Sequence, residues 1–390
     1  MTYQFNRDIA SLPPSASMVL MDKARIMKAE GIDVINLAGG EPDFDTPAPA
    51  LLTGIRGLTN GHTHYAAGRG IPALRNRLAK KLQKENGIAC TPDEILVTPG
   101  GKAAVYVAVR TLINPGDEVL IPDPSWVSYG PIVLASAGVP VHVPLTFESG
   151  YAITEDILEQ CITEKTRVLI VNSPNNPTGR VINQAELDAI TAVALRHDLM
   201  IISDEIHEKI IFDGRKHLSP ASVPAIADRV VTVNGHSKCA AMTGWRLRCL
   251  HAAKEVVDQM FRLYQHVFTC LGEYVQEAGI AALDCTEEIE TMRKSYQDRR
   301  DSFVDALNTI PGVNCLVPEG AFYAWVAIDY QGMDSNQIAD HLLEKAHVAT
   351  VPGYAYGAEC GNCIRLCFAA APAELEEAVN RIRTALTGGN

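Results

Sequence analysis

Between about residues 95 and 250 one pattern repeats: a short apolar run rich in β-branched residues, a polar break, then a stretch with helical spacing of its apolar positions. The runs are Ile95 to Thr98, Glu118 to Ile121, Val139 to Val143, Val168 to Val171, Leu199 to Ile202 and Val230 to Val233. Their length and composition predict buried strands. Among the intervening stretches, Ala185, Leu187, Ile190 and Ala194 mark one face of a helix. Strands alternating with helices predict an α/β unit built on a largely parallel sheet. A ligand site in such a unit lies beyond the carboxyl ends of the strands.

The rest of the chain reads differently. Residues 255–283 predict one long connecting helix, and residues 290–390 a smaller α+β unit. The last helix of that unit carries Leu375, Ala378, Ile382 and Leu386 on one stripe behind Pro372. The Pro- and Gly-rich N-terminal segment is expected to join the smaller unit. The division expected is 1–50 with the small unit, 51–285 as the large one, and 286–390 as the small C-terminal one.

Composition narrows the partners. A net charge of −12 argues against a nucleic-acid surface and an anionic membrane. It also requires that any anionic ligand be held by local cations. No apolar run is long enough for a membrane helix. The start, Met1 to Arg7, lacks a basic segment followed by an apolar one, so a cytoplasmic protein is expected. The ten cysteines lie mostly in apolar stretches and read as reduced core residues. Cys360 and Cys363 with Cys367 have zinc-like spacing, but no second pair exists and Arg365 stands between them, so no metal is expected. Gly68 to Ala73 fits a loose dinucleotide pattern, yet no strand precedes it and Pro72 interrupts it.

The candidate chemistry sits at three strand ends. Asn172-Ser173-Pro174-Asn175-Asn176-Pro177-Thr178-Gly179 follows one run, Asp204 closes another, and Lys238 follows the third. An amine, a carboxylate and a rigid amide-bearing turn suit pyridoxal phosphate (PLP). The amine forms the Schiff base, the carboxylate pairs with the pyridinium nitrogen, and the amide meets the phenolic oxygen.

Further landmarks occur in order: Gly39-Gly40-Glu41-Pro42-Asp43, Tyr65 with Gly70-Ile71-Pro72, Gly100-Gly101-Lys102, Pro124-Ser125-Trp126, Ser203-Asp204-Glu205-Ile206, Ser237-Lys238 with Met242-Thr243-Gly244-Trp245-Arg246, and Pro352-Gly353 before Arg365. Through them the chain resembles the class I, aspartate aminotransferase-like, PLP-dependent aminotransferases of fold type I. The resemblance implies a large domain with a mostly parallel mixed sheet, a smaller α+β domain, and a homodimer with shared active sites. It implies that Lys238 carries the cofactor and moves the Cα proton, and that Asp204 holds the ring nitrogen. Arg246 with the N–H groups of Gly101 and Lys102 would bind the phosphate, and Tyr65 would reach the phosphate of the neighbouring subunit. Trp126 would stack on the ring, Asn176 and His207 would face its phenolic oxygen, and Arg365 would grip the substrate α-carboxylate beside Gly40. Lys102 would meet a distal carboxylate. The expected activity is transfer of an amino group from an acidic or broad amino-acid donor to a 2-oxo acid.

Three residues depart from the family pattern. His207 replaces a tyrosine and brings a shorter group that titrates near neutral pH. Arg248 replaces glycine or alanine, and in an extended strand it would share a side with Arg246. His236 is a bulky neighbour of the lysine. These changes keep open a second reading, a PLP-dependent lyase or a replacement or carbon–carbon bond-forming enzyme on the same fold. A regulatory role is disfavoured by the complete set of lysine, aspartate and arginines and by the lack of a DNA-binding segment.

Overall fold

In the computed structural model, which describes residues 3–10, 12 and 14–388, a seven-stranded sheet forms the centre. Met1 and Thr2, part of the N-terminal reading above, lie outside the described residues. The strand order is Ile95–Pro99, Leu247–His251, Val230–Asn234, Met200–Asp204, Thr166–Asn172, Glu118–Asp123 and Val139–Pro144. All run in one direction except Leu247–His251, which is antiparallel to both neighbours.

Helices cover both faces, which explains the near-continuous apolar runs. Along Thr166–Asn172, Val168 and Ile170 pack with Val105, Val109, Met260 and Tyr264 on one side. Leu169 and Val171 pack with Leu74, Leu78, Ile190 and Val193 on the other. Each such side chain contributes about 1.5–3 kcal/mol by leaving water.

All six expected strands are present. The seventh, Leu247–His251, was missed because Arg248 and His251 interrupt its apolar pattern although all five residues are buried. Arg246 does not belong to it: this residue takes φ +56° just before the strand, so the two arginines are not neighbours on one extended segment.

Two helix expectations need correction. The helix Gln184–Arg196 opens with a capping box between Asn183 and Glu186, and Glu186 is buried as a partner of Arg180. That leaves Ala185 exposed, and the buried stripe is Leu187, Ile190, Val193 and Ala194. The 255–283 segment is two helices, Lys254–Val267 and Glu273–Ala282, separated where Thr269 takes φ +66°.

A four-stranded antiparallel sheet follows, in the order Val351–Pro352, Cys363–Cys367, Tyr323–Ile328 and Val313–Cys315. Helices Thr286–Asn308 and Pro372–Thr387 cover it over a core that includes Tyr296, Phe303, Phe322 and Phe368. The last helix buries Leu375, Ala378, Ile382 and Leu386, the stripe expected. Ile35–Asn36 pairs in parallel with Val348–Ala349, and Ile35 and Leu37 enter the same core. The segment thereby delivers Ala38 to Gly40 to the ends of the large sheet's strands. All ten cysteines are free thiols and eight are buried. Among the described residues no helix is long and apolar enough to cross a membrane.

Candidate active site

Beyond the carboxyl ends of the large sheet lies a cavity of about 230 Å³. Gly40, Gly101, Lys102, Trp126, Asn176, Asp204, His207, Lys238, Arg246 and Arg365 line it. Most of them follow strands of the large sheet that end side by side, while Gly40 comes from the N-terminal segment and Arg365 from a strand of the smaller sheet. Tyr65 does not join them; it is 89% exposed on the outside of the chain. His236 is buried but does not line the cavity either.

Backbone geometry places the cations. Gly100 takes φ +93° and opens helix Gly101–Leu112; a Cβ on it would collide with the Arg246 guanidinium. Arg246 donates to the Thr243 carbonyl at 3.1 Å. Gly235, at φ +151°, lets the Arg248 side chain pass: a Cβ there would sit 2.8 Å from Arg248 Cδ. The helix N-terminus and the adjacent guanidinium form a site for a dianion.

Lys238 extends from the loop after Val230–Asn234 and donates to the Gly40 carbonyl. Burial, then the charge of Arg248, pulls its amine down to about 7. A neutral amine is a nucleophile towards an aldehyde, so this shift suits carbonyl chemistry.

Asp204 ends its strand in register with Asn172. The Tyr129 hydroxyl donates to its Oδ2 at 2.8 Å, while Oδ1 is buried without a partner. Burial raises its pKa, against the Tyr129 bond and the Arg248 charge. A cationic N–H donor at Oδ1 would supply the missing partner and keep the carboxylate ionised.

His207 is buried, edge-on to Phe322 and Tyr323 at 5.5 and 5.6 Å between ring centres. Neither ring nitrogen has a partner at hydrogen-bonding geometry, although the Pro174 carbonyl lies near enough to oppose the fall of its pKa. Burial, then Lys238 and Arg248, pushes that pKa well below the usual imidazole range. The same causes favour the neutral imidazole over its charged form.

Arg365 is buried on strand Cys363–Cys367, stacked 4.6 Å from the Tyr323 ring centre. It donates to Asn176 Oδ1 at 3.2 Å and to the Ala38 and Gly39 carbonyls at 2.6 and 2.8 Å. Lys102 Nζ sits 5.8 Å from the Trp126 ring centre.

Asn172, which opens the amide-bearing turn, lines the cavity as well, as do Tyr129 and Tyr323, which were not singled out from sequence. Tyr129 had a legible signal: it lies one turn after Trp126 and packs edge-on against it at 5.2 Å. A buried polar network behind the Asp204 to His207 turn was also missed. Glu205 accepts from Ser203, Ser219, His217 and Asn86, and Glu208 from Lys81 and from Asn86 at 2.5 Å. Burial opposes ionisation of Glu208, but Lys81 and His217 hold its carboxyl at about 2.

These features fit PLP. A near-neutral amine, a carboxylate oxygen lacking a donor, uncommitted imidazole nitrogens and a dianion site face one cavity.

Comparison with known proteins agrees. The family model described as aminotransferase class I and II matches residues 32–382. An aspartate aminotransferase of Musicola paradisiaca (strain Ech703) is 44% identical over 96% of this chain and 94% of its own. One of Geobacillus stearothermophilus is 40% identical over 96% of both. The solved aspartate aminotransferase from Thermus thermophilus with maleate superposes with a TM-score of 0.93 at 36% identity, covering 99% of this chain and 100% of that one. An aromatic aminotransferase from Pyrococcus horikoshii OT3 gives 0.89 at 39% identity, covering 95% and 99%. With the match spanning nearly its whole length, the chain belongs to the aminotransferase class I and II family.

Proposed function

We propose that this PLP-dependent aminotransferase takes an acidic donor such as aspartate or glutamate, with Arg365 and Lys102 holding its two carboxylates. The observation that carries the reading is the delivery of these two cations to one cavity from different elements, a strand of the smaller sheet and the first turn of a helix. The relatives named aspartate aminotransferases, and the Thermus structure solved with maleate, a dicarboxylate, support it.

PLP, when bound, supplies an aldehyde for amine exchange and an electron-withdrawing ring. The residues do the rest. Lys238 holds the cofactor covalently and, once displaced, carries the Cα proton. Asp204, oriented by Tyr129, keeps its charge against the ring nitrogen, an interaction that strengthens as negative charge enters the ring. Arg246 and the N–H groups of Gly101 and Lys102 take the phosphate. Asn176 and His207 would meet the phenolic oxygen, and Trp126 would stack on the ring. Arg365, already oriented by Asn176, receives the α-carboxylate beside Gly40.

A homodimer accounts for what one chain leaves over. Helix Ala48–Thr59 exposes Leu51, Leu52, Ile55 and Leu58, and the exposed Tyr65 lies just beyond it. A second copy covering this face would bring Tyr65 to its neighbour's phosphate. The same reading places residues 1–50 with 286–390 as a small domain against 51–285, and the protein in the cytoplasm, where its free thiols persist.

The test is a panel of amino-acid donors with the purified holoenzyme, repeated with Lys102→Ala. Aspartate and glutamate should convert the cofactor to its amine form fastest. Losing a charge-assisted contact should cost about 1.5–3 kcal/mol, about 10- to 150-fold in kcat/KM. Alanine should be nearly unaffected. Equal losses on both, or a wild-type preference for aromatic donors, would overturn the acidic assignment. A persistent cofactor band with release of a leaving group would favour a lyase.

His207 yields a second prediction. A tyrosine hydroxyl reaches further and donates to an anionic ring oxygen, so His207→Tyr should lower the midpoint of the cofactor's absorbance titration by about one pH unit. Coincident titration curves would refute the role given to His207.

A further inference from the structure

Arg248 acts on Lys238 and His207 through its charge, but no ligand group has been assigned to it. It is 5% exposed, lines the same cavity, and its Nη1 is buried without a partner. Burial lowers its pKa to about 10, against the charge of Asp204, so it remains a cation at neutral pH. Asp204 attracts it but makes no hydrogen bond to it, and a buried guanidinium nitrogen left without an acceptor is costly to maintain, which implies that a ligand supplies one.

The position of the side chain indicates which part of the ligand that is. Its chain passes over Gly235, and its Nε lies 3.8 Å from the point where a Cβ on Gly101 would stand. Gly101 opens the helix whose N-terminus forms the dianion site. Asp204 and Arg246 are the charged side chains it feels most. Arg365 is instead hydrogen-bonded to Asn176 and to the Ala38 and Gly39 carbonyls, partners that Arg248 does not share. In pyridoxal phosphate the ring nitrogen and the phosphate-bearing carbon are separated by a single ring atom. A guanidinium between Asp204 and Gly101 therefore meets the phosphate end of the cofactor, not the substrate.

We propose that Arg248 is a second guanidinium of the phosphate site, acting with Arg246 and the N-terminus of helix Gly101–Leu112, and that it gives this chain an added grip on the cofactor's dianion. The inference rests on the PLP assignment. It assigns Arg248 to cofactor retention, so the substrate profile does not depend on it.

The test measures binding of three probes to protein stripped of cofactor: PLP, pyridoxal (the same ring without phosphate) and inorganic phosphate. In Arg248→Gln, the Kd for PLP should rise about 30-fold, as for a lost charge-assisted hydrogen bond, and that for phosphate should rise in parallel. Pyridoxal should lose at least about fivefold less affinity than PLP, because the change at Lys238 is common to both probes and the lost phosphate contact is not. Arg248→Lys keeps a cation with a smaller head and should lose about fivefold on PLP alone, which serves if the glutamine variant does not fold. Equal losses on PLP and pyridoxal would mean that Arg248 acts only through Lys238 or Asp204, and would overturn the proposal, as would unchanged PLP affinity. If the wild type binds pyridoxal as tightly as PLP, the phosphate site itself fails, and the cofactor assignment with it.

Discussion

Replacing Lys238 with alanine should lower kcat by at least about 10⁴-fold, since the side chain serves both as covalent anchor and as positioned base, and general-base catalysis alone contributes about 10²- to 10⁴-fold. The amine is well placed for both tasks. It is half-buried, it donates to the Gly40 carbonyl, and burial with Arg248 brings it down to about 7. The amine of an ordinary lysine would be almost fully protonated at neutral pH and a poor nucleophile. Two measurements separate this role from a structural one. Borohydride should add the mass of one cofactor to the wild type and none to the variant. Added methylamine should restore part of the variant's activity, because a diffusible amine can enter the space left by the side chain. Retained mass addition in the variant would show the anchor to be elsewhere.

The second large effect concerns stability. Lys81→Met should cost about 3–5 kcal/mol of folding free energy, the usual penalty for stranding one member of a buried ion pair. Lys81 and Glu208 are 7% and 6% exposed at their side chains, and removing the ammonium leaves Glu208 beside Glu205. The double variant Lys81→Met with Glu208→Met should recover most of the loss, read as the shift of a denaturant midpoint. The pH dependence has a definite sign. Glu208 has its folded pKa at about 2, below the ordinary 4.5, so its contribution is present above 4.5 and disappears as pH falls through 2. In Glu208→Met that part of the acid profile should flatten. Additive single and double effects would show the pair to be uncoupled.

How much of this was legible in the sequence depended on whether the signal was local. Five of the six strands were readable because both faces of the sheet are covered there, so their side chains are apolar in succession; Val139–Pro144, at the sheet's edge, buries only Val143 and was readable from its β-branched residues. Leu247–His251 was not, since Arg248 and His251 are buried polar side chains whose burial follows from the cavity and the adjoining strands. The break at Thr269 depends on one residue adopting a left-handed conformation, which nothing in its neighbours announces. Ten named site residues meet in the cavity because strand ends and glycine turns are short-range features with strong residue preferences. Lys81 joins Glu208 across 127 positions, and no spacing rule reaches that far. Tyr65 was legible only through resemblance, and in a single chain it is 89% exposed.

Gly235 and Arg248 have a further implication. One residue lacks a side chain where the other's methylenes run, so position 248 can carry a long side chain on this path only while 235 stays glycine. Shortening the arginine would not free 235 in turn, because a Cβ there still meets Arg248 Cα at 3.1 Å and the Leu247 carbonyl at 3.3 Å, at a backbone torsion that favours glycine. Among homologues, an arginine at 248 should therefore always be accompanied by glycine at 235.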